Sequence, residues 1–211
     1  MKIYFVRHGE GFDDIYNEYG GWSDRELSPN GVQLVFTLAE KLKKIAKGSE
    51  IIMTSPLKRS SQTAQIVGNG MKLRVVDEPY LKERNTYGLL SGVNKDIAVD
   101  EYPEMVDAFR KDRYIPAAER YKDFVERIGI LLDRLENSGH ENIIAVTHGH
   151  VITVIVEEFL GLIRNNIGNG CILGVEVDKK MNRKVIFTDK ITFTTDPILI
   201  KARQLRKFKR D

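Results

Sequence analysis

Cationic or potentially cationic side chains follow two short apolar runs of this sequence. Arg7 and His8 come directly after the run KIYFV (2–6), and His148 comes directly after NIIAVT (142–147). In open α/β sheets, ligands bind beyond the carboxyl ends of the strands, so both groups of residues are expected at one edge of a sheet. The sequence therefore predicts a cationic pocket that separate segments of the chain build together.

A third segment is expected to reach the same pocket. Ser55 and Pro56 follow the apolar run EIIMT (50–54), and a capping serine followed by a proline at the first helical position is a common helix start. Arg59 then falls in the first turn of that helix, close to the predicted pocket. Because guanidinium groups match phosphate oxygens in bidentate geometry, a phosphate group is the natural ligand for such a pocket.

Phosphoryl transfer is the chemistry that these residue types could perform. A neutral imidazole, here that of His8, can attack phosphorus and form a covalent phosphohistidine. Arg7, Arg59 and His148 would stabilise the charge on the phosphoryl oxygens. The leaving oxygen needs a proton donor, and Glu83 in YLKERNTYGLLSG is the candidate general acid, which would later act as the base for water.

A metal site at His148 and His150 is the competing interpretation. The sequence contains no HExxH motif and no cysteine cluster that would complete a coordination shell, and the nearby arginines would repel a dication. We therefore expect neither a metal nor a cofactor. The single cysteine, Cys171, lies in GCILGVEV and is expected to be a buried strand thiol rather than a nucleophile.

Composition limits the classes of partner and location. Lys and Arg number 33 against 30 Asp and Glu, and the net charge of +3 does not by itself indicate nucleic-acid or membrane binding. One cysteine excludes an intrachain disulfide framework and fits a reducing compartment. No apolar stretch approaches the ~20 residues of a membrane span. The apolar run in MKIYFV is too short for a signal peptide, and we expect a cytoplasmic protein.

Apolar, β-branched runs alternate with longer helical patterns along the chain. Strands that are apolar throughout indicate a sheet covered on both faces. The segment VEVDKKMNRKVIFTD predicts a hairpin that turns the last strands antiparallel. The expected fold is of the α/β class, a three-layer α/β/α sandwich whose central sheet is mostly parallel with an antiparallel edge. Beyond the three strands already named, the expected elements are strands at 73–76 and 171–177 and helices at 31–46, 55–68, about 117–136 and 150–160.

We expect one domain over residues 1–211, because a chain of this length can bury a single core. Residues 78–116 break the alternating pattern with prolines, glycines and many charges, and are expected to form an excursion over the sheet that borders the active site. No core-sized apolar set is expected within them. The basic tail at about 197–211 is expected to be a solvated end, with folding over the pocket as the alternative.

Four motifs resemble the histidine phosphatase superfamily, which has the phosphoglycerate mutase-like fold. They are VRHGE, SPLKRSSQTA, LKER before YG, and VTHGH, and the resemblance spans about residues 2–177. The resemblance implies that His8 is the phosphorylated nucleophile and that Glu83 is the acid/base. It also implies that the phosphoryl group is bound by Arg7, Arg59 and His148.

The substrate-binding residues follow from the same resemblance. LKERNTYGLLSGVNK is similar to a stretch of the cofactor-dependent phosphoglycerate mutases that holds the substrate carboxylate. Against those mutases, His150 replaces an Asn, Asp14 replaces another Asn, and Gly20 occupies the place of a Thr. The candidate substrate-binding residues are Asp14, Gly20, Gly21, Arg84, Tyr87, Lys95, Gly149 and His150.

The segment between Lys95 and Pro116 decides which branch of the family is expected. It lacks the paired arginines and proline-rich stretch of the mutases, and Glu119 after it resembles a Glu that begins the long helix in the phosphatase branch. A mutase must exclude water from its phosphohistidine, whereas a phosphatase must admit it, so a shorter lid favours hydrolysis.

We therefore expect a metal-independent phosphatase that hydrolyses phosphomonoesters of small metabolites. A cofactor-dependent phosphoglycerate mutase is the alternative, and a non-catalytic module that binds phosphorylated ligands is the second alternative. The expected partner is a small phosphorylated metabolite. Nucleic acid and membrane are not expected, and a homodimer is left open.

Overall fold

The computed structural model describes residues 1–194, so the basic tail predicted at about 197–211 lies outside the described residues. Its six strands form one sheet in the order β3-β2-β4-β1-β5-β6. Strands β1 to β4 pair in parallel, and β5 and β6 pair antiparallel at one edge. The strands are β1 (Lys2–Arg7), β2 (Ile51–Thr54), β3 (Val75–Asp77), β4 (Asn142–Thr147), β5 (Arg164–Val177) and β6 (Arg183–Phe193).

Helices follow most of the strands along the chain. A π-helical turn, Ile155–Phe159, continues the last helix, and 3₁₀ turns occur at Pro79–Leu81 and Gly88–Leu90. The helices are α1 (Phe12–Ile15), α2 (Pro29–Ile45), α3 (Lys58–Met71), α4 (Lys95–Glu101), α5 (Pro103–Arg110), α6 (Tyr121–Glu136) and α7 (Gly149–Val154).

Strand β1 is covered on both of its faces. Ile3 and Phe5 pack into a cluster that includes the apolar faces of α6 and α7, and Tyr4 and Val6 pack into a second cluster with α2 and α3. Alternate side chains of a strand point to opposite faces of the sheet, so each face receives its own helical layer. The predicted three-layer sandwich with a mostly parallel sheet and an antiparallel edge is confirmed.

The start of α3 differs from the prediction. Ser55 and Pro56 precede the helix, which begins at Lys58 with Leu57 as its N-cap. The hydroxyl of Ser55 lies 2.7 Å from the Nε2 atom of His148 and accepts from the N–H of Leu57, so it is used in a tertiary contact instead of a cap. Arg59 nevertheless lies in the first turn of α3, as predicted.

The excursion at 78–116 contains more regular structure than we expected. It includes α4 and α5, and Asn94 caps α4 by accepting from the N–H groups of Asp96 and Ile97. A small cluster of buried side chains lies beneath it, formed by Tyr19, Leu90, Ala98, Val106 and Ile115. Tyr19 comes from outside the excursion, and the other four buried residues belong to it, so the segment carries a small apolar cluster that we did not predict.

Other element ends move by a few residues from the predicted positions. Strand β5 begins at Arg164, before the predicted 171, and β3 occupies Val75–Asp77.

Cys171 is buried in β5 as expected, and burial raises the pKa of its thiol to about 12. Within residues 1–194, no helix combines the length and apolar character needed to cross a membrane.

Candidate active site

The backbone of His8 is held at the carboxyl end of β1 from two sides. Its N–H donates to the carbonyl of Thr147 at 3.0 Å, and its carbonyl accepts from the N–H of Gly170 at 3.1 Å. Gly9 then allows the chain to turn against the start of α2, because a Cβ there would lie 2.7 Å from the carbonyl oxygen of Gly31. His8 is therefore fixed in position and only 5% exposed.

The hydrogen bonds of His8 determine which of its ring nitrogens carries the proton. Nδ1 lies 2.5 Å from the carbonyl oxygen of Gly9, which can only accept, so Nδ1 is the donor. Nε2 accepts from Nε of Arg59 at 3.1 Å and so carries a lone pair. Burial, with Arg59, His148 and Arg7 nearby, holds the pKa of His8 well below 6.5. The imidazole is neutral at neutral pH, with the unprotonated nitrogen toward Arg59.

Arg59 ties His8 to the loop that follows α1. Its Nη1 donates to the carbonyl of Ser23 at 2.5 Å and its Nη2 to the carbonyl of Gly21 at 2.9 Å. Gly21 adopts a left-handed backbone conformation with φ of 52°, which favours glycine. The guanidinium is 2% exposed, so a full positive charge lies buried beside the His8 ring.

His148 lies beside His8, with ring centroids 4.9 Å apart and an edge-on angle of 60°. Its Nε2 is hydrogen-bonded to Ser55, and its Nδ1 is buried with no hydrogen-bond partner within residues 1–194. Burial and the neighbouring Arg59 hold the pKa of His148 well below 6.5, although Glu83 acts in the opposite direction. The ring is neutral and has one nitrogen left to bind a ligand.

Arg7 also presents an unused donor. Its Nη1 donates to the carbonyl of Ile167 at 2.7 Å, while its Nε is buried and has no partner among the described residues. A Cβ at Gly149, at the start of α7, would lie 3.5 Å from Cζ of the guanidinium. Buried polar atoms in proteins are normally hydrogen-bonded, so unpartnered nitrogens on both Arg7 and His148 call for a ligand.

Glu83 supplies a carboxylate in the same region. It is 8% exposed, its Oε1 accepts from the N–H of Arg84 at 2.9 Å, and its Oε2 accepts from the N–H of His150 at 3.3 Å. The Nδ1 atom of His150 lies 3.6 Å from Oε2. Burial alone would raise the pKa of Glu83, but His150, His148 and the N–H of Arg84 outweigh it and lower that pKa below 4.5.

The five residues predicted to be catalytic are thus brought together, and three of the predicted substrate-binding residues adjoin them. The carbonyl of Gly21 accepts from Arg59, a Cβ at Gly149 would lie 3.5 Å from Cζ of Arg7, and His150 donates its N–H to Glu83. A fourth, Gly20, lies beside Asp13 instead, because a Cβ there would lie 3.2 Å from Oδ2 of Asp13.

The remaining four predicted substrate-binding residues make other contacts. The ring of Tyr87 packs at a tilted angle against the rings of Tyr19 and Phe109. The other three side chains contact the backbone or an aromatic ring: Nε of Arg84 donates to the carbonyl of Glu119, Nζ of Lys95 lies 6.0 Å from the Tyr19 ring centroid, and the Asp14 carboxylate accepts from the N–H of Gly11.

Four further residues border the site, and no pattern in the sequence predicts a functional role for them. Trp22 donates from its indole to the carbonyl of Glu83 at 2.7 Å, and Arg127 donates to the same carbonyl at 3.3 Å. Asp13 is buried with Oδ2 3.9 Å from Nη1 of Arg59, and burial raises its pKa although Arg59 opposes this. Ser55, predicted as a helix cap, instead bonds His148. Their partners are distant in sequence, so local patterns do not reveal them.

Among the described residues, no group of three or more His, Cys, Asp or Glu side chains is arranged to hold a metal ion. The chemical groups at the site are the buried guanidinium of Arg59, the partly buried guanidinium of Arg7, two neutral imidazoles and the carboxylate of Glu83, with the carboxyl group of Asp13 at the border. These groups can hold an anion and offer it a nucleophile and a proton carrier.

Two curated proteins show the sequence relationships of this chain. It is 29% identical over 166 residues to 6-phosphofructo-2-kinase/fructose-2,6-bisphosphatase 1 of Mus musculus, an alignment that covers 75% of this chain and 32% of that protein. It is 34% identical over 132 residues to 2,3-bisphosphoglycerate-dependent phosphoglycerate mutase of Bartonella bacilliformis, covering 60% of this chain and 64% of the mutase. The chain thus spans about a third of the length of the first relative and under two thirds of the second.

A solved structure and a family model complete the comparison. The α-ribazole phosphatase of Shigella flexneri superposes with a TM-score of 0.77 at 22% identity, covering 93% of this chain and 100% of that one, so the two share a fold. Residues 3–190 match the family model of the histidine phosphatase superfamily, branch 1. This match covers most of the sequence, including every residue of the site. The chain belongs to branch 1 of the histidine phosphatase superfamily.

Proposed function

We propose that this protein is a phosphatase that hydrolyses phosphomonoesters of small metabolites through a phosphohistidine on His8. The observation that carries the proposal is the state of His8. Its Nδ1 donates to Gly9, its Nε2 keeps a lone pair, and unpartnered nitrogens of Arg7 and His148 are buried in the same site. Such an arrangement suits an incoming phosphoryl group better than any neutral ligand.

In the first step, Nε2 of His8 attacks phosphorus as the bond from phosphorus to the ester oxygen breaks. In the absence of ligand, Nε of Arg59 donates a hydrogen bond to the lone pair of Nε2. The phosphoryl group must therefore displace this hydrogen bond before Nε2 can attack. Arg59, Arg7 and His148 then stabilise the charge on the phosphoryl oxygens. The product is phospho-His8 together with the leaving alcohol.

Glu83 moves the protons of the reaction. In the free protein its lowered pKa makes it a carboxylate, which is the state required in the second step, when water attacks phosphorus and gives up a proton. In the first step Glu83 must be protonated to donate to the leaving oxygen. A bound phosphoryl dianion close to it would raise its pKa and favour that state. Release of phosphate then returns both His8 and Glu83 to their starting states.

Hydrolysis is favoured over mutase activity by the segment that covers the site. A mutase requires a lid that excludes water from the phosphohistidine while the intermediate turns. This chain lacks the paired arginines and the proline-rich stretch that the mutases carry between Lys95 and Pro116. The curated relative with a bisphosphatase in its name and the fold shared with an α-ribazole phosphatase also support hydrolysis.

A phosphoglycerate mutase is the second candidate function. It is favoured by the 34% identity to the mutase of Bartonella bacilliformis and by the ER and YG residues at 83–88. A mutase would exchange the two monophosphoglycerate isomers faster than it releases phosphate, and would depend on a bisphosphate primer. A non-catalytic binding module is less well supported, since a binder has no need for the buried carboxylate of Glu83.

The proposal extends to cofactor use and location. We propose that the reaction needs no metal, because two arginines occupy the positions at which a dication would otherwise offset the phosphoryl charge. We also propose a cytoplasmic location, since the one cysteine is a buried thiol and fits a reducing compartment. The partner is a small phosphorylated metabolite.

A substrate panel with two matched histidine variants tests the proposal. Sugar phosphates, monophosphoglycerates and nucleoside monophosphates would be supplied with and without EDTA, and released phosphate and isomer exchange both measured. We expect His8→Ala to lower turnover by more than about a thousandfold, as loss of a nucleophile does. The control is His140→Ala, because His140 is half-buried beside Glu50. Turnover by His8→Ala at the wild-type rate would refute the proposal, and primer-dependent isomer exchange would favour the mutase.

A further inference from the structure

Arg127 lies on α6 and reaches across to the segment that precedes Glu83. Its Nη1 donates to the carbonyls of Tyr80 and Lys82, at 2.7 and 2.9 Å. Its Nη2 donates to the carbonyl of Glu83 itself, at 3.3 Å. One side chain thus holds three backbone carbonyls over four consecutive residues. These residues lead from a 3₁₀ turn into a stretch without helix or strand, where no regular ladder fixes the backbone.

The rest of the guanidinium is paired with Glu119. Nε donates to Oε1 at 2.8 Å and Nη2 to Oε2 at 2.9 Å, a bidentate ion pair in which the side chains are 17% and 16% exposed. A guanidinium has five N–H donors. Each of the five therefore has an acceptor, and the plane of the group is fixed in one orientation.

Glu119 holds the backbone that follows Glu83. Its N–H donates to the carbonyl of Asn85 at 2.8 Å, and its Oε2 accepts from the N–H of Asn85 at 3.4 Å. Its carbonyl accepts from Nε of Arg84 at 3.2 Å. Hydrogen bonds therefore fix the backbone both before and after Glu83, whose carboxylate faces the site.

From these contacts we propose that Arg127 is a positioning residue for Glu83. Arg127 acts through the backbone, and the proposal rests on the function proposed above, in which Glu83 donates a proton to the leaving oxygen. Proton transfer requires hydrogen-bond reach between the acid and the leaving oxygen. A displacement of about 1 Å in a reacting group can cost about a hundredfold in rate. Releasing the carbonyls of residues 80, 82 and 83 would permit such a displacement without removing any group from the pocket.

Lysine at position 127 cannot replace the arginine. A lysine keeps the positive charge but has a compact ammonium group with three donors, which cannot span three carbonyls and both oxygens of Glu119. Arg127→Lys therefore separates geometry from charge. The control is Arg183→Lys, because Arg183 makes a similar bidentate pair with Glu136 at the other end of α6, at 2.6 and 2.9 Å.

The test compares two leaving groups in the full-length protein. Glycerol 2-phosphate has an alkoxide leaving group that needs a proton, whereas p-nitrophenyl phosphate releases a stable phenolate that needs little help. The ratio kcat/KM reports the steps up to cleavage of the phosphorus–oxygen bond. We expect Arg127→Lys to lower kcat/KM about tenfold to a hundredfold for the alkyl ester and less than about threefold for the aryl ester. Glu83→Gln should show the same pattern, and Arg183→Lys should show neither loss.

The outcomes separate failure of this inference from failure of the proposed function. An equal loss for both esters in Arg127→Lys, or no loss for either, would overturn the positioning role while leaving phospho-His8 chemistry intact. Turnover that survives in His8→Ala would instead overturn the proposed function. If Arg127→Lys does not fold, Glu119→Gln serves in its place, since it weakens the same pair and keeps its shape. It should show the same leaving-group dependence with a smaller loss.

Discussion

A histidine lies close to a glutamate at each end of strand β4, and the pair is partly exposed at one end and buried at the other. At the amino end, His140 lies 3.1 Å from Oε2 of Glu50, and both side chains are partly exposed. Oε1 of Glu50 also accepts from the backbone N–H groups of Glu141 and Asn142. At the carboxyl end, His148 is 0% exposed and Glu83 is 8% exposed. There, Nδ1 of His148 has no partner among residues 1–194.

The difference lies in burial and hydrogen-bond satisfaction, since both ends have a histidine near a glutamate. A polar group that is exposed and paired has little left to bind and is adequately explained as part of the surface. A buried nitrogen without a partner carries a free-energy cost that only a ligand or a compensating gain in function explains. The carboxyl end of β4 therefore has the features expected of a ligand site, and the general rule for open α/β sheets predicts ligand binding at this end.

Of the changes at the two ends of β4, substitutions of His148 are expected to have the largest effect. His148→Gln keeps an atom that can bond Ser55 but removes the nitrogen at the Nδ1 position, and we expect kcat/KM to fall about a hundredfold to a thousandfold. His148→Asn places an amide near the Nδ1 position and should lose less. Steady-state kinetics on one phosphomonoester would check both. His140→Gln is the matched control at the other end of β4, and equal losses at His140 and His148 would remove the distinction between the two ends.

An intermediate effect is expected in the pH dependence of stability. His8 and His148 have folded-state pKa values well below 6.5, so below that pH the unfolded chain binds more protons than the folded one. The free energy of unfolding should therefore fall as the pH drops below about 6.5, by up to about 1.4 kcal/mol per pH unit for each histidine. Urea unfolding at a series of pH values measures this slope.

The histidine variants sharpen the same measurement. His148→Gln should unfold with a shallower pH slope than the wild type, because one of the two buried neutral rings has been removed. His140→Gln should keep the wild-type slope. A slope that is the same in the wild type and both variants would show that the His148 ring is not buried in the neutral state.

The smallest effect is expected from the amino end. Glu50→Gln weakens the contact with His140, which together with backbone N–H groups lowers the pKa of Glu50. Because Glu50 and His140 lie at the surface, we expect no measurable change in turnover and only a small fall in Tm. Calorimetry and the phosphatase assay would check both, and a tenfold loss of turnover would mean that the two ends of the strand are coupled.

Much of the fold and of the site could be predicted because the determining patterns are local. The apolar runs that become β1 and β4 can be recognised as strands from their composition. Because the carboxyl ends of parallel strands meet at one edge of the sheet, Arg7, His8 and His148 are then expected at that edge. Ser28 and Pro29 form a local helix-start signal, and α2 begins at Pro29 with the Ser28 hydroxyl accepting from the N–H of Gly31. Each of these features depends on residues that are close in sequence or on a general rule of sheet topology.

The features that could not be predicted depend on contacts between residues that are far apart in the sequence. Ser55 has the local appearance of a helix cap, yet its hydroxyl bonds His148, which lies 93 residues away. Among residues 1–194, Glu119 is the side chain that accepts hydrogen bonds from Arg127, and the other acceptors are backbone carbonyls, which every residue possesses. Tyr19 completes the cluster beneath the excursion from outside it. Tertiary contacts of this kind leave no periodic or motif signal.

The most direct test of the account is to locate the phosphate during the first turnover. Wild-type protein would be mixed with p-nitrophenyl phosphate, quenched rapidly in alkaline denaturant, digested and mapped by mass spectrometry. If His8 is the nucleophile, the phosphate will be on the peptide that contains His8, stable to alkali, lost in acid and absent from His8→Ala. Phosphate on any other residue, or full turnover by His8→Ala, would contradict it.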